Sequence, residues 1–218
     1  MPEQFLDKSL AQFLDDLASS APVPGGGSTA ALAGALAAAL LSMVGNLTVG
    51  KKKYADLPVP DQAQVEGEIK GLLNRSEGLR KRLADLAEED AQAYAELSKA
   101  YKMPRGTGEE KQARAKAIQA ALKDATDVPM RVAEACVGVL DLCTPAAEKG
   151  NIRAVSDVGV AALLAEAALR SAALNVLINL GSVEDRDFVE REGAKLNVLL
   201  ESKSELKEEI YELVVEKL

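Results

Sequence analysis

The residue of greatest chemical interest is Asp90, because it occupies an apolar position in a long helical pattern. Core positions between residues 61 and 101 recur at alternating steps of four and three. The series runs Val65, Ile69, Leu72, Ser76, Leu79, Leu83, Leu86, Asp90, Ala93, Leu97. Either the helix is rotated locally and Asp90 is solvated, or the carboxylate is held in a poorly solvated place. In the second case desolvation raises its pKa toward the working pH, which suits an acid/base catalyst.

A second segment with chemical potential is a glycine run, Gly25-Gly26-Gly27, which is followed by Ser28 and an Ala-rich helix. Glycines allow tight backbone turns, and their amides can converge on an oxygen or an anion at a helix N-terminus. The run matches neither a P-loop nor a dinucleotide-binding pattern. A tight turn between two helices explains the glycine run equally well, so only the surrounding sequence can distinguish a binding loop from a turn.

Two apolar helices carry small or polar residues at four-residue spacing. The first series is Ala30, Gly34, Ala38, Ser42, Asn46, and the second is Ser171, Asn175, Asn179. Small side chains favour close helix packing, within the chain or between subunits, and Asn46 at the end of its series is also a candidate ligand contact. Buried amides need hydrogen-bond partners, so Asn175 and Asn179 bind either a neighbouring helix or an amide-rich ligand.

Composition excludes several classes of mechanism and partner. The 218 residues contain no histidine, which excludes Ser–His and Cys–His nucleophiles and His-containing zinc sites, and we predict no metal. Cys136 and Cys143 are seven residues apart in a helical stretch, and we interpret them as buried apolar residues in a reducing cytosol. A net charge of −8 and an aromatic content of 3% disfavour nucleic acid as a partner.

One stretch resembles a membrane span, because residues 28–50 carry no charge and Lys51, Lys52 and Lys53 follow. The stretch consists mostly of Ala and Gly and contains polar residues, which favours a buried helix. The N-terminus lacks the basic and then apolar pattern of a signal peptide. We therefore predict a cytoplasmic protein without a membrane partner.

The hydrophobic pattern predicts an all-α fold, because no run alternates apolar and polar residues. We expect one domain over 1–218, a bundle of about six helices of which several are long. The predicted helices are 3–19, 28–52, 61–101, 109–147, 156–180 and 184–217.

Local signals mark several helix ends. Asp61 is a plausible N-cap of the third helix, and Thr107 with Glu110 forms a capping-box pattern before the fourth. Gly150 suits the end of the fourth helix, Ser156 or Asp157 can cap the fifth, and Pro129 should kink or split the fourth.

Five separated segments together resemble, in order, the cyclodeaminase/cyclohydrolase family. This family comprises the C-terminal domain of formiminotransferase-cyclodeaminase and stand-alone bacterial methenyltetrahydrofolate cyclohydrolases. The segments are Pro24-Gly25-Gly26-Gly27-Ser28 with Ala30-Ala31, Met43-Val44 and Thr48-Val49-Gly50-Lys51-Lys52; Asp90-Ala91-Gln92-Ala93-Tyr94; Met103-Pro104-Arg105; Gly150-Asn151 with Ser156-Asp157; and Asn175-Val176-Leu177-Ile178-Asn179-Leu180.

The resemblance implies a helical, usually dimeric enzyme that acts on a tetrahydrofolate derivative and needs neither a metal nor a redox cofactor. In the bifunctional members, the catalytic aspartate falls in an Asp-Ala-x-Ala-aromatic element, and the matching residue here is Asp90. A formiminotransferase domain does not accompany the resemblance, so formiminotetrahydrofolate as the physiological substrate stays open.

These observations lead to a functional prediction with two alternatives. We predict hydrolysis of 5,10-methenyltetrahydrofolate to 10-formyltetrahydrofolate, with Asp90 as general acid/base. The alternatives are a cyclodeaminase that releases ammonia from formiminotetrahydrofolate, and a folate-binding or scaffold protein that does not need Asp90.

The remaining candidate residues are substrate contacts. Gly25, Gly26, Gly27 and Ser28 would hold substrate through backbone amides and a hydroxyl. Asp157 would either bind the pterin or cap its helix, and Lys51 would either meet the glutamate tail or stay solvated. The other candidates are Asn46, Asn151, Ser156, Asn175 and Asn179.

Overall fold

The computed structural model describes residues 5–50 and 59–218, and within them every regular element is helical. The α-helices are α1 (Leu10–Leu17), α2 (Gly26–Thr48), α3 (Val59–Tyr101), α4 (Gly108–Lys149), α5 (Val155–Leu180), α6 (Arg186–Leu200) and α7 (Lys203–Val215). Short 3-10 turns, Phe5–Asp7 and Ile152–Ala154, precede α1 and α5. The predicted all-α class is confirmed, with seven α-helices in the described ranges instead of about six.

The cap residues predicted from the sequence are confirmed at α4 and wrong at α3 and α5, and α2 spans Gly26–Thr48 where 28–52 was predicted. Thr107 and Glu110 form a reciprocal capping box, and Gly150 ends α4. Because α5 begins at Val155 with Ala154 as its N-cap, Ser156 and Asp157 do not cap it and lie in its first turn. Because α3 begins at Val59, Asp61 also lies in a first turn and is not the N-cap.

The two terminal helices that the sequence predicted as continuous are each divided. The stretch 184–217 breaks at Ser202, whose φ of 55° lies in the left-handed region, so that α7 turns back onto the core. Ile210 and Val214 are buried there. The stretch 3–19 is a 3-10 turn followed by α1, since Ser9 and Gln12 form a capping box that begins a new helix.

The core forms where α2, α3, α4 and α5 pack closely. A Cβ on Gly34 would lie 2.9 Å from the Cys136 sulfur, and the Ser42 and Ser76 hydroxyl oxygens lie 2.9 Å apart. The small-residue series of α2 therefore packs α2 within the chain, against α3 and α4. Asn46, at its end, is exposed.

Helices α2 and α5 run antiparallel. Asn151, just before α5, donates to the Leu47 carbonyl near the end of α2, whereas Gly26 at the start of α2 lies beside Asn175 near the end of α5. Both segments, 26–48 and 152–180, are long and apolar enough to span a membrane, yet 56% and 44% of their most apolar stretches are buried in the fold. Each helix packs one side against the core and exposes the other.

Candidate active site

The site is built where the Asp90 carboxylate of α3 meets the N-terminus of α2. One Asp90 oxygen accepts a hydrogen bond of 2.9 Å from the Ser28 hydroxyl. Gly25 is the N-cap of α2 and has no side chain to satisfy the first amides. Asp90 takes over this function from another helix, and its negative charge also suits the positive end of the helix dipole.

The environment of Asp90 raises its pKa above the ordinary value of an aspartate. Burial is the largest cause, because it disfavours the charged form. Hydrogen bonds from the Ser28 hydroxyl and the Ser28 backbone act in the opposite direction and are outweighed. The carboxyl group is therefore a better proton donor and acceptor near neutral pH than a solvated aspartate.

Gly27 is required by the position of Asp90. A Cβ on Gly27 would lie 2.1 Å from one Asp90 carboxylate oxygen and 2.6 Å from its carboxyl carbon. A Cβ on Gly25 or Gly26 would meet its nearest neighbour at 3.7 Å, an ordinary contact. The glycine run therefore allows close approach of a carboxylate to the helix at one position in particular.

A cleft of about 350 Å³ opens beside Asp90, large enough for part of a folate-sized molecule. One wall is a single face of α3, where Tyr94, Leu97 and Tyr101 follow Asp90 at helical spacing. Both tyrosine rings are almost half exposed. The opposite wall comes from α5 and the glycine loop. The rings of Tyr94 and Tyr101 offer flat surfaces against which a pterin or an aminobenzoyl ring can stack.

Two asparagines of α5 line the same cleft. Asn175 donates to the Ser171 carbonyl, and Asn179 donates at 2.7 Å to the Ala125 carbonyl of α4. The second bond has a clear cause: Pro129 has no N–H, so the Ala125 carbonyl lacks its usual donor four residues later. The amide of Asn179 replaces that donor. Helix α4 continues through Pro129, so of the predicted kink or split the split does not occur.

The structure thus brings together part of the predicted set: Gly25, Gly26 and Gly27 line the cleft with Asp90, Asn175 and Asn179, and Ser28 is buried behind them. Asn46, Asn151, Ser156 and Asp157 lie instead at the opposite end of α2 and α5. Lys51 lies outside the described residues.

The role of Asn151 is largely structural. Its side chain accepts from the Arg153 amide, which caps the 3-10 turn, and donates to the Leu47 carbonyl. Its backbone N–H donates to the Thr48 hydroxyl. The asparagine therefore ties the start of α5 to the end of α2.

Tyr101 was missed as a cleft residue in the sequence analysis, and Tyr94 was noted only as part of a motif. Their signal was present, since residues 4 and 11 positions after Asp90 share its helical face. Among the described residues, no group of three or more His, Cys, Asp or Glu side chains is placed to hold a metal ion.

Known proteins are similar to this chain in sequence. The family model described as formiminotransferase-cyclodeaminase matches residues 9–198, a span that includes the glycine loop, Asp90 and both asparagines. The chain belongs to this family. The resemblance inferred from its motifs is thereby confirmed.

Three relatives illustrate the range of the family. A methenyltetrahydrofolate cyclohydrolase of Methylorubrum extorquens is 49% identical over 97% of this chain and 98% of its own length. The formimidoyltransferase-cyclodeaminase of Mus musculus is 35% identical over 92% of this chain, a match that covers 36% of the mouse protein. The crystal structure of a formiminotetrahydrofolate cyclodeaminase from Thermotoga maritima is 34% identical, with a TM-score of 0.77 over 99% of this chain and 98% of that one.

Proposed function

We propose that this chain is a methenyltetrahydrofolate cyclohydrolase, an enzyme that hydrolyses 5,10-methenyltetrahydrofolate to 10-formyltetrahydrofolate. The observation that carries the proposal is the partly buried Asp90 carboxyl group, of raised pKa, in the wall of a cleft with two aromatic rings. The 49% identity to a cyclohydrolase over nearly the full length of both chains supports the choice of reaction.

The chemistry requires one group that accepts a proton and returns it. Water attacks the amidinium carbon between N5 and N10, and Asp90 accepts a proton from that water. The resulting tetrahedral carbon bears N5, N10 and a hydroxyl group. Asp90 then protonates N5 as the bond from carbon to N5 breaks, and the hydroxyl proton leaves to solvent as the formyl group forms on N10.

Charge favours the same assignment. The substrate is a cation at the reacting carbon, and Asp90 is the one carboxyl group among the described residues that line the cleft. An ionised Asp90 therefore stabilises the bound cation before it takes up the proton. Ser28, which donates to one oxygen of the carboxylate, keeps the group oriented.

The second candidate is the cyclodeaminase reaction, because the Thermotoga and mouse relatives are named for it. In that reaction N10 attacks the formimino carbon and ammonia leaves, and the tetrahedral carbon bears an amine in place of the hydroxyl group. The same carboxyl group serves both reactions. The Thermotoga relative matches this chain over nearly its full length, so chain length does not separate the two activities.

An assay with each substrate in turn distinguishes the two candidate reactions. The purified protein is mixed with one substrate, and the absorbance of the methenyl compound is followed. We expect accelerated loss of this absorbance from 5,10-methenyltetrahydrofolate, at a pH where spontaneous hydrolysis is slow. Appearance of the absorbance from 5-formiminotetrahydrofolate, with no acceleration of its loss, would replace the proposal by the cyclodeaminase. No change with either substrate would leave the scaffold alternative.

We also propose that the enzyme is a cytoplasmic homodimer and acts without a metal or redox cofactor. The reaction needs only water and proton transfer, which supports the last point. An exposed apolar face on α2 and α5 supports a second copy as the partner, and we expect a dimer mass in light scattering.

A further inference from the structure

The cleft beside Asp90 continues along α3, and α4 runs beside it in the opposite direction. Glu89, next to Asp90 in the chain, pairs with Arg131 of α4. At the end of α3, the Tyr101 carbonyl accepts a hydrogen bond from Arg114, much earlier in α4. Asp90 and Tyr101 both line the cleft, and their eleven-residue separation corresponds to about 16 Å along the helix. The cleft therefore has one end at the Asp90 carboxylate and another near Arg114.

Arg114 lies at the Tyr101 end of the cleft, and only some of its donors are used. Its Nε and Nη2 atoms donate to the Tyr101 carbonyl at 3.2 and 3.1 Å, and its guanidinium carbon lies 5.9 Å from the centre of the Tyr101 ring. No hydrogen bond or ion pair joins this half-buried side chain to a carboxylate of residues 5–50 or 59–218. Because two of the five guanidinium N–H groups are engaged, the edge formed by Nη1 and Nη2 can donate two parallel bonds to a carboxylate.

The surroundings of Arg114 are basic, although the chain as a whole is acidic. Residues 102–116 contain five Lys or Arg and two Glu, whereas the net charge of the chain is −8. One of the two acids, Glu110, already accepts from two backbone amides of the connection between α3 and α4. Arg105 of the same connection is exposed and forms no ion pair within the described ranges. This end of the cleft therefore favours an anionic group.

We propose that Arg114 binds the glutamate carboxylates of the folate substrate, while Asp90 acts on the carbon at the other end of the same molecule. The proposal rests on the proposed function for the identity of the substrate. In an extended molecule, the carbon between N5 and N10 lies roughly 11–14 Å from the glutamate carboxylates by standard bond lengths. With that carbon beside Asp90, the aminobenzoyl ring passes Tyr94 and Tyr101, and the carboxylates come within reach of the Arg114 side chain.

Arg114 also acts as a cap, because it binds one of the carbonyls that the C-terminus of α3 leaves without a donor. A cap alone would affect stability and would not distinguish substrates by the charge of their tails. The test therefore compares 5,10-methenyltetrahydrofolate with its diamide, in which both glutamate carboxyl groups are primary amides. The diamide keeps the shape of the tail and removes its charge.

Steady-state kinetics with these two compounds test the proposal. Wild type should prefer the diacid in kcat/KM by about 10- to 100-fold, as expected for a charge-assisted pair. Arg114→Gln should remove most of this preference through KM and leave kcat in place. Arg114→Lys keeps the charge without the planar fork and should retain part of the preference. Lys116→Gln, an equal change of charge on the opposite and exposed side of α4, is the matched control and should retain all of it.

Two results would overturn the assignment of Arg114. One is an equal loss of kcat/KM with the diacid and the diamide in Arg114→Gln, which would leave Arg114 as a cap only. The other is the same preference for the diacid in Arg114→Gln as in wild type. If Arg114→Gln does not fold, as judged by thermal unfolding, Arg114→Lys carries the same comparison with a smaller expected loss.

Calorimetric binding of 5-formyltetrahydrofolate and its diamide separates this proposal from the proposed function. Wild type that does not hydrolyse the methenyl compound, yet binds the diacid more tightly than the diamide through Arg114, would refute the reaction and support the tail site. Active wild type that treats diacid and diamide alike would support the reaction and refute the tail site.

Discussion

At the scale of single residues, the position of Asp90 suits proton transfer but lowers the stability of the fold. The folded state holds the carboxyl group where its charged form is disfavoured, so its pKa is higher than in the unfolded chain. Ionisation at neutral pH therefore lowers the free energy of unfolding. Function requires the ionisable group, and the fold accommodates it at this cost.

Asp90→Asn should consequently stabilise the protein as well as inactivate it. The neutral amide keeps the size of the side chain and removes the partly buried charge. Because the pKa of Asp90 is raised, its stability deficit develops as pH rises above the unfolded value of 3.8. The difference in Tm between Asp90→Asn and wild type should thus shrink between pH 7 and pH 4 in thermal scans.

Asp185→Asn is the control of opposite sign. Lys123 and the Phe188 backbone hold the pKa of the Asp185 carboxyl below its ordinary value, so this charge stabilises the fold above that value. Asp185→Asn should lower Tm at pH 7. A lower Tm for Asp90→Asn as well would contradict the account of its environment.

Gly27→Ala should displace the carboxylate, because the new Cβ would lie 2.1 Å from an Asp90 oxygen. We expect a loss of kcat comparable to that of Asp90→Asn, measured with the methenyl substrate. Gly78→Ala, in α3, has open space around it and should be active and more stable by about 0.5–1 kcal/mol. Unchanged kcat for Gly27→Ala would show that Asp90 is not held at this position.

Ser28→Ala should raise the pKa of Asp90 further, since the hydroxyl donates to the charged form. The limb of the pH profile of kcat/KM that belongs to Asp90 should shift to higher pH. Ser42→Ala, a buried serine in the same helix that bonds to Ser76, should leave that limb in place. A downward shift for Ser28→Ala would argue against the assignment of the limb to Asp90.

At the scale of helices, the least predictable feature is a hydrogen bond between α4 and α5. Pro129 removes the donor for the Ala125 carbonyl, and Asn179 supplies it from α5. The sequence predicted that Pro129 would kink or split α4, and that Asn179 would bind either a neighbouring helix or a ligand. Neither pattern alone reveals the compensation, because it depends on which residues of two helices become neighbours.

Asn179→Ala should destabilise the protein by about 1–3 kcal/mol, because it leaves a buried carbonyl without a donor. In a Pro129→Ala background the backbone N–H returns, and the same substitution should cost clearly less in denaturant unfolding. Asn197→Ala, on the exposed surface of α6, is the neutral control. Equal costs in both backgrounds would refute the compensation.

The same scale explains which helices were predictable. The long helices α2 to α5 follow from their apolar periodicity and from the Thr107 capping box. The break at Ser202 was not predictable, because its left-handed backbone is imposed by packing of α7 on the core and no Gly or Pro marks it. The ends of α3 and α5 were off by one or two residues, since several polar residues in each first turn compete as caps.

At the scale of the whole molecule, the sequence named several residues that line the cleft but not how its candidate residues are arranged in space. Asp90, the glycine run and the α5 asparagines do meet, whereas Asn46, Asn151, Ser156 and Asp157 lie at the other end of the same two helices. A single chain gives no pattern that reveals this separation. The antiparallel packing of α2 and α5 places the two groups at opposite ends of these helices.

Association through the exposed apolar face of α2 and α5, which includes Leu36, Met43 and Ile178, should make stability depend on protein concentration. If dimer formation is coupled to folding, Tm rises with protein concentration by mass action. Leu36→Glu places a charge on this apolar face and should give a monomer whose Tm no longer depends on concentration. Glu205→Gln, on α7 away from this face, should behave as wild type; a concentration-independent wild-type Tm with a monomer mass would contradict the dimer.

The central claim is that Asp90 is the proton-transfer group of a cyclohydrolase, and one comparison tests it most directly. The absorbance of 5,10-methenyltetrahydrofolate is followed with wild type and with Asp90→Asn, both shown to be folded, at a pH where spontaneous hydrolysis is slow. The account predicts rapid decay with wild type and a rate about 10²- to 10⁴-fold lower with Asp90→Asn, as expected when general acid/base catalysis is lost. Equal rates with the two proteins would contradict it.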